Sequence, residues 1–306
     1  MHDLCIRNCP LCGGVLGGKA FPFSTKFNNF IFNYLRCDRC LSVVVDPIPD
    51  RETFARMYAK ADYHDCHYKG KFSDEYLVSA QILKQFLPSG ASVLDYGCGV
   101  GGFLKALKDV GFDPLGVEFD RDAAHAAGET ANCKAMSIDD FQMQAINAKF
   151  DAIHFGDVLE HVPDPADLLK KVLGYLTPAG VLYVEGPLET NPSPVYWAAI
   201  LFGAMKKRLK PKSFATHPPT HLFLTGAKQQ KAFFSLTDAR LELQYWQVYE
   251  TGWPYSNGGL LKRAIAKIAM RLGGRDLFGA ICGNRFRGVY IYRNQIGGCE
   301  CSSRVE

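Results

Sequence analysis

Between residues 91 and 190 the chain alternates short apolar strands with helices of roughly ten residues, and this rhythm limits the fold more than any other feature. Residues 92–96 read as a buried strand and 102–110 as a helix closed by Gly111; 113–118 and 120–131 repeat the pair. Strands at 133–138 and 150–155 follow, then a helix over 164–176. The turn Pro178-Ala179-Gly180 leads into a strand at 181–185. Such alternation predicts an α/β fold, a mainly parallel sheet with helices on both faces. Right-handed crossovers then make it doubly wound. The last third is less regular: helix at 227–234, strand at 241–249, helix at 260–272, strand at 288–292, with insertions over 188–220 and 251–287.

The loop after the first of these strands carries the chemistry. Gly97, Gly99 and Gly102 satisfy G-x-G-x-x-G, and Glu118 stands 21 residues after Gly97, at the end of the next strand. Glycines there permit a tight turn and close approach of backbone to a ligand, and a carboxylate at that distance can accept both ribose hydroxyls. On these residues alone a nicotinamide dinucleotide also fits. Asp95, two residues before the first glycine, would repel a diphosphate and suits a ligand carrying an ammonium and a sulfonium.

With Asp95-Tyr96-Gly97-Cys98-Gly99-Val100-Gly101 the chain resembles the class I S-adenosylmethionine-dependent methyltransferases, whose first motif is D-x-G-x-G-x-G. The resemblance continues through Gly116-Val117-Glu118, Phe150-Asp151-Ala152-Ile153, Asp157-Val158-Leu159-Glu160-His161-Val162 and Leu176-Thr177-Pro178-Ala179-Gly180-Val181-Leu182, covering about residues 90 to 190. It implies a Rossmann-like sheet and S-adenosylmethionine as cofactor. Asp95 with the backbone of Gly97 and Gly99 would hold the methionine part and Glu118 the ribose. Ile138 and Asp139 would flank the adenine, and Asp157 would lie near the sulfonium. The acid pair Asp139-Asp140 also reads simply as a helix N-terminus favoured by the dipole.

Cys9-Pro10-Leu11-Cys12 and Cys37-Asp38-Arg39-Cys40 are two CxxC units with 24 residues between them. Two residues between thiolates let both sulfurs face one tetrahedral ion, and the second unit completes a closed, structural zinc site. The metal would replace the hydrophobic core that some 45 residues cannot supply. The expected organisation is a zinc ribbon over 1–46, a helical linker or lid over 47–90, the methyltransferase domain over 91–296 and a tail over 297–306. A subfamily with a four-cysteine N-terminal module is similar, and its members modify sugars, glycans and other small molecules.

Methyl transfer is an in-line displacement, so alignment comes first; a base is needed when the acceptor must lose a proton. His161, just past the fourth strand, and His221, at the end of the first insertion, are the candidates for base or acceptor orientation. Glu160 reads as a solvated acid and His154 as a core histidine. Tyr63, His64 and Tyr68 could form a lid.

Both insertions contain basic amphipathic segments, 195–212 and 260–272, which either cover the acceptor site or an interface, or make peripheral contact with a membrane. The longest uncharged apolar stretch has 11 residues against the roughly 20 that span a bilayer, and no signal-peptide core opens the chain, so a cytoplasmic location is expected. With 47% apolar residues and a net charge of +4, the chain is neither disordered nor suited to wrapping a duplex. The reading is a methyltransferase of small molecules, by O-methylation of a sugar or glycan hydroxyl. The alternatives are an RNA methyltransferase gripping its substrate through the zinc module, and a noncatalytic cofactor-binding module.

Overall fold

The computed structural model describes residues 8–58, 74–144, 147–211 and 214–293. The segment with Tyr63, His64 and Tyr68 and the tail from Gly297 lie outside the described residues.

The central sheet has seven strands: β4 (Ser92–Tyr96), β5 (Asp113–Glu118), β6 (Lys134–Ser137), β7 (Phe150–Gly156), β8 (Leu176–Pro187), β10 (Leu241–Tyr249) and β13 (Arg285–Tyr292). Their order is β10-β13-β8-β7-β4-β5-β6, with β4 to β8 parallel and β13 antiparallel to both neighbours. The winding reverses between β4 and β7, which opens a crevice at the carboxyl ends of the strands, where open α/β sheets bind ligands. This is a Rossmann-like fold with the expected mainly parallel sheet.

Both sheet faces are covered, as continuous apolar runs in parallel strands require. On one side Leu94, Ile153, Leu182 and Tyr290 pack with Leu169 and Leu173 of α6 (Pro165–Leu173) and Phe234 of α8 (Ala227–Thr237). On the other, Val93, Ala152, Val181 and Val289 meet Leu83 of α2 (Asp74–Leu83) and Phe103 and Leu107 of α3 (Gly102–Asp109). The expected turn at Pro178-Ala179-Gly180 is instead an irregularity inside continuous β8, with Ala179 at φ 62°. Helix α6 stops at Leu173, three residues early, while Asp164 caps its start by accepting from the Asp167 amide at 3.0 Å.

The N-terminal residues form a separate antiparallel sheet, β1 (Leu16–Phe27), β2 (Phe30–Cys37) and β3 (Val43–Asp46), followed by α1 (Arg51–Tyr58). Its fourth strand, β9 (Phe223–Leu224), comes from the other end of the first insertion and pairs with β3. Thr25 adds hydroxyl hydrogen bonds to the carbonyls of Ala215 (3.0 Å) and His217 (2.6 Å). The remaining elements are α4 (Arg121–Ala131), α5 (Ile138–Gln144), α7 (Pro194–Leu209), α9 (Leu260–Leu272) and the hairpin β11 (Asp276–Leu277) and β12 (Ala280–Ile281).

Candidate active site

The glycine turn makes the floor of the crevice. Gly97 sits at φ 85°, and a Cβ there would meet Val158 Cγ2 at 2.4 Å, so both the conformation and the space demand glycine. The amides of Gly97 and Cys98 donate to the Val117 carbonyl at 2.7 and 3.1 Å, tying the turn to β5. Glu118, at the end of β5, accepts from the Gly99 amide at 2.8 Å through Oε2 and from the Phe119 amide at 2.7 Å through Oε1. Each oxygen keeps a second lone pair for a ligand hydroxyl.

Asp95, Gly97, Gly99 and Asp157 line one cavity. Ile138 and Asp139 do not line it; they begin α5, beyond β5, with Ile138 half-buried and Asp139 exposed. Asp140 is occupied structurally: it accepts from the Ser137 hydroxyl at 2.7 Å and pairs with Arg121 at 2.9 Å.

Asp95 is 2% exposed, and its Oδ1 lies 2.7 Å from His154 Nδ1. His154 Nε2 makes an ionic contact with Glu185 Oε2 at 3.4 Å, without hydrogen-bond geometry. Glu185 in turn accepts from Arg287 Nε (2.6 Å), Ser79 Oγ (2.7 Å) and the Tyr183 hydroxyl (3.0 Å). Burial alone would lower the His154 pKa, but Asp95 and then Glu185 push it up to about 9. Burial likewise opposes the charge on Glu185, yet His154, Arg287 and Ser79 hold it at about 2. His154 is therefore a buried imidazolium between two carboxylates, a role beyond that of an ordinary core histidine. Asp95 Oδ2 is left buried without a partner, an acceptor waiting for a donor.

Arg285 and Arg287 carried no sequence signal. The antiparallel course of β13 lays Arg287 opposite Glu185 and Arg285 opposite Pro187, so both reach the ligand edge from the start of the strand. Arg285 donates to both oxygens of Asp157 at 2.9 and 2.8 Å and to the Tyr249 hydroxyl at 3.1 Å.

A second cluster adjoins this cavity. The rings of His161 and His221 meet edge to face with centroids 4.7 Å apart. His161 Nδ1 lies 2.8 Å from the Thr220 carbonyl, and His221 Nδ1 lies 3.0 Å from Glu189 Oε1. Glu160 is 7% exposed, contrary to the solvated acid expected, because the short 3-10 turn Leu159–His161 folds it inward while its carbonyl accepts from the Leu222 amide at 2.7 Å. Burial and then the charge of Asp157 push its carboxyl up to about 8. Burial opposes protonation of His221, but Glu189 and then Glu160 raise it to about 9. Leu222 ties the cluster to the N-terminal sheet, its amide donating to the Glu160 carbonyl at 2.7 Å and its carbonyl accepting from the Val45 amide of β3 at 3.0 Å. One nitrogen or oxygen atom from each of Glu160, His161 and His221 lies within 4.8 Å of the others.

The four cysteines converge. Cys9 Sγ is 3.8 Å from Cys40 Sγ, and Cys12 Sγ 3.5 Å from Cys37 Sγ. The Gly14 and Cys40 amides donate to Cys12 and Cys37 sulfurs at 3.4 and 3.5 Å. A Cβ on Gly14 would meet Cys37 Sγ at 2.9 Å.

These groups set a pH dependence. His154 and His221 have folded-state pKa values near 9, above the ordinary 6.5, and Glu160 near 8, above 4.5. A raised folded-state pKa adds stability that is complete below the ordinary value and is lost as pH rises through the folded one. The urea midpoint should therefore fall from pH 6.5 to 9, each of the three groups contributing on the order of 2 kcal/mol of the lost unfolding free energy. A flat midpoint across that window would contradict the assignment of the buried charges.

A glycine turn under an unpartnered Asp95 oxygen, with Glu118 bound to its Gly99 amide from the end of the next strand, is the arrangement of the doubly wound cofactor-binding class. A family model described as a methyltransferase domain matches residues 71–251, and the chain belongs to that family of S-adenosylmethionine-dependent methyltransferases. Among curated relatives, the ubiquinone biosynthesis O-methyltransferase of Xanthomonas axonopodis pv. citri is 27% identical over 165 residues, covering 51% of this chain and 65% of the relative. That of Actinobacillus pleuropneumoniae serotype 7 is 34% identical over 104 residues, 31% of this chain and 44% of the relative. The chain thus spans less than two thirds of the length of these relatives. Among solved structures, the plantazolicin methyltransferase BpumL in complex with SAH is 16% identical, covers 79% of this chain and 94% of that chain, and superposes with a TM-score of 0.48.

Proposed function

We propose that this chain transfers a methyl group to a hydroxyl oxygen of a small molecule. The observation that carries the reading is the edge-to-face pair His161 and His221 beside the cofactor cavity, each with Nδ1 engaged by an oxygen. S-adenosylmethionine, when bound, supplies an electrophilic methyl on a sulfonium. Asp95 through its unpartnered Oδ2 and the Gly97 and Gly99 backbone would hold the methionine part. Glu118 would take the ribose hydroxyls, and Ile138 with Asp139 the adenine edge. Asp157, already paired with Arg285, would form the wall near the methyl with its charge neutralised.

The Thr220 carbonyl can only accept, so His161 Nδ1 carries a proton, and in the neutral imidazole the basic nitrogen is Nε2. His161 Nε2 then removes the acceptor hydroxyl's proton as oxygen attacks. Glu189 keeps His221 protonated below about pH 9, so its Nε2–H donates to the acceptor and orients it. His161→Ala should lower kcat by about 10² to 10⁴ with cofactor affinity unchanged. His221→Ala should raise KM and erase the fall in kcat/KM as pH climbs through about 9. Turnover by both variants at the parental rate across pH would refute the assignment.

The relatives are named for O-methylation in ubiquinone biosynthesis, which supports an oxygen acceptor and lends nothing to the sugar hydroxyl expected from the sequence. A panel of phenolic and sugar hydroxyl acceptors with labelled cofactor separates the two.

We further infer a structural zinc ion in the four-cysteine knuckle. Bonds of about 2.3 Å to a tetrahedral ion place sulfurs about 3.8 Å apart, and the separations of 3.8 and 3.5 Å support that fit. With four thiolates the site has no open position, so the zinc would hold the N-terminal sheet and take no part in the reaction.

A further inference from the structure

Charge is distributed very unevenly along this chain. Residues 190–237 and 251–275 contain twelve of the 35 lysines and arginines and none of the 31 aspartates and glutamates. The rest of the chain is therefore net negative by eight, although the total is +4. The fold joins these two segments. Helices α7 and α9 pack through Val195, Ala198 and Phe202 against Ile265, Ala266 and Ala269.

Helix α7 has three faces, and two are used. One meets α9. The second lies on β1: a Cβ on Gly203 would touch the Phe21 ring at 2.4 Å, and Lys207 Nζ stands 4.0 Å over the Phe23 ring. The third carries Trp197, Leu201 and Met205, spaced four apart, all exposed, with Arg208 completing the stripe. Beside it the β11–β12 hairpin presents Phe278, 95% exposed, with its ring 6.2 Å from that of Trp197. The outer side of α9 adds Leu261 and Ile268, both exposed, among Arg263, Lys267 and Arg271. Large apolar side chains left in water are unfavourable, and a hairpin tip holding a phenylalanine outward adds nothing to this fold.

We propose that the outer faces of α7 and α9, with the Phe278 tip, form a docking surface for an anionic lipid bilayer. The apolar stripe matches the acyl boundary, and the cations of α7 and α9 match negatively charged headgroups, while Asp276 of the hairpin accepts from the Gly279 amide at 2.9 Å. No helix among the described residues is long and apolar enough to cross a membrane, and the contact proposed is with the bilayer surface. The proposal stands apart from the choice of methyl acceptor, because it uses none of the residues assigned to the reaction.

Sedimentation of the full chain with vesicles tests it, comparing pure phosphatidylcholine with about one-third phosphatidylglycerol at roughly 0.1 M salt. Binding is expected only to the anionic vesicles and should weaken as salt rises. Lys206→Glu with Lys267→Glu should lower partitioning by about thirtyfold or more. Leu201→Glu with Phe278→Glu should abolish it, while circular dichroism and melting stay unchanged because all four side chains are exposed. Equal binding to neutral and anionic vesicles, or full partitioning by the Leu201/Phe278 variant, would overturn the proposal. So would absence of vesicle binding, whether accompanied by salt-sensitive retention of RNA or by dimerisation on sizing columns.

Discussion

Cys37→Ser is expected to abolish metal binding and unfold the N-terminal sheet, with turnover falling in step. Structural zinc contributes on the order of 10 kcal/mol to small modules of this kind, more than a core of this size supplies unaided. The damage should spread because the sheet is not built from its own residues alone. Leu222 and Phe223 pack with Cys9, Cys37 and Val44, and β9 begins two residues after His221. Once the knuckle opens, the strand that fixes His221 loses its partner β3. Cofactor titration should be less affected, since Asp95 and Glu118 sit on the parallel sheet and Gly97 and Gly99 in the turn that follows β4. Atomic absorption, thermal melting and turnover on one preparation decide it. A serine variant with full metal content and parental melting would exclude a four-thiolate site.

His154→Ala is the second large effect expected, and it works through the buried charges. Removing the imidazolium leaves Asp95 without its ionic partner and Glu185 with Arg287 alone, since Arg285 in the same cavity is paired with Asp157. Breaking a buried pair in this way costs about 3–5 kcal/mol, and loss of the ring packed 4.1 Å from Phe103 adds to it. For a chain of this size the melting temperature should drop by about 10 °C. S-adenosylmethionine should bind more weakly too, because Asp95 loses the hydrogen bond that aims Oδ2. His154→Gln, which keeps a donor toward Asp95 without the charge, should recover part of the orientation and little of the stability. A loss below about 1 kcal/mol for the alanine variant would mean that one carboxyl is already protonated.

The parts of this molecule readable from spacing are those whose physics is local. The positive φ of Gly97 belongs to the turn it stands in, and the cysteine pairs follow from the geometry of two thiolates on one turn. Helix α9 and strand β10 also match their expected limits, because each is a long run with a single apolar period. The steric half of the Gly97 requirement is of another kind. Val158, two residues beyond the end of β7, fills the space a side chain would need, and it arrives there only when β7 pairs with β4.

What spacing could not show depends on chain segments that meet only after folding. His154 reads as an ordinary core residue until Asp95, 59 positions away, and Glu185 close on its two nitrogens. Arg285 and Arg287 become site residues because β13 runs antiparallel and starts at the ligand edge, a direction that no local pattern encodes. Glu160 turns from solvated acid to buried carboxyl in a short 3-10 turn whose carbonyl is held by the Leu222 amide, 62 positions away. The glycine turn and the cysteine knuckles follow from backbone angles and bond lengths within a few residues. The charges facing one another across the crevice follow from strand order and direction, which only the packed chain sets.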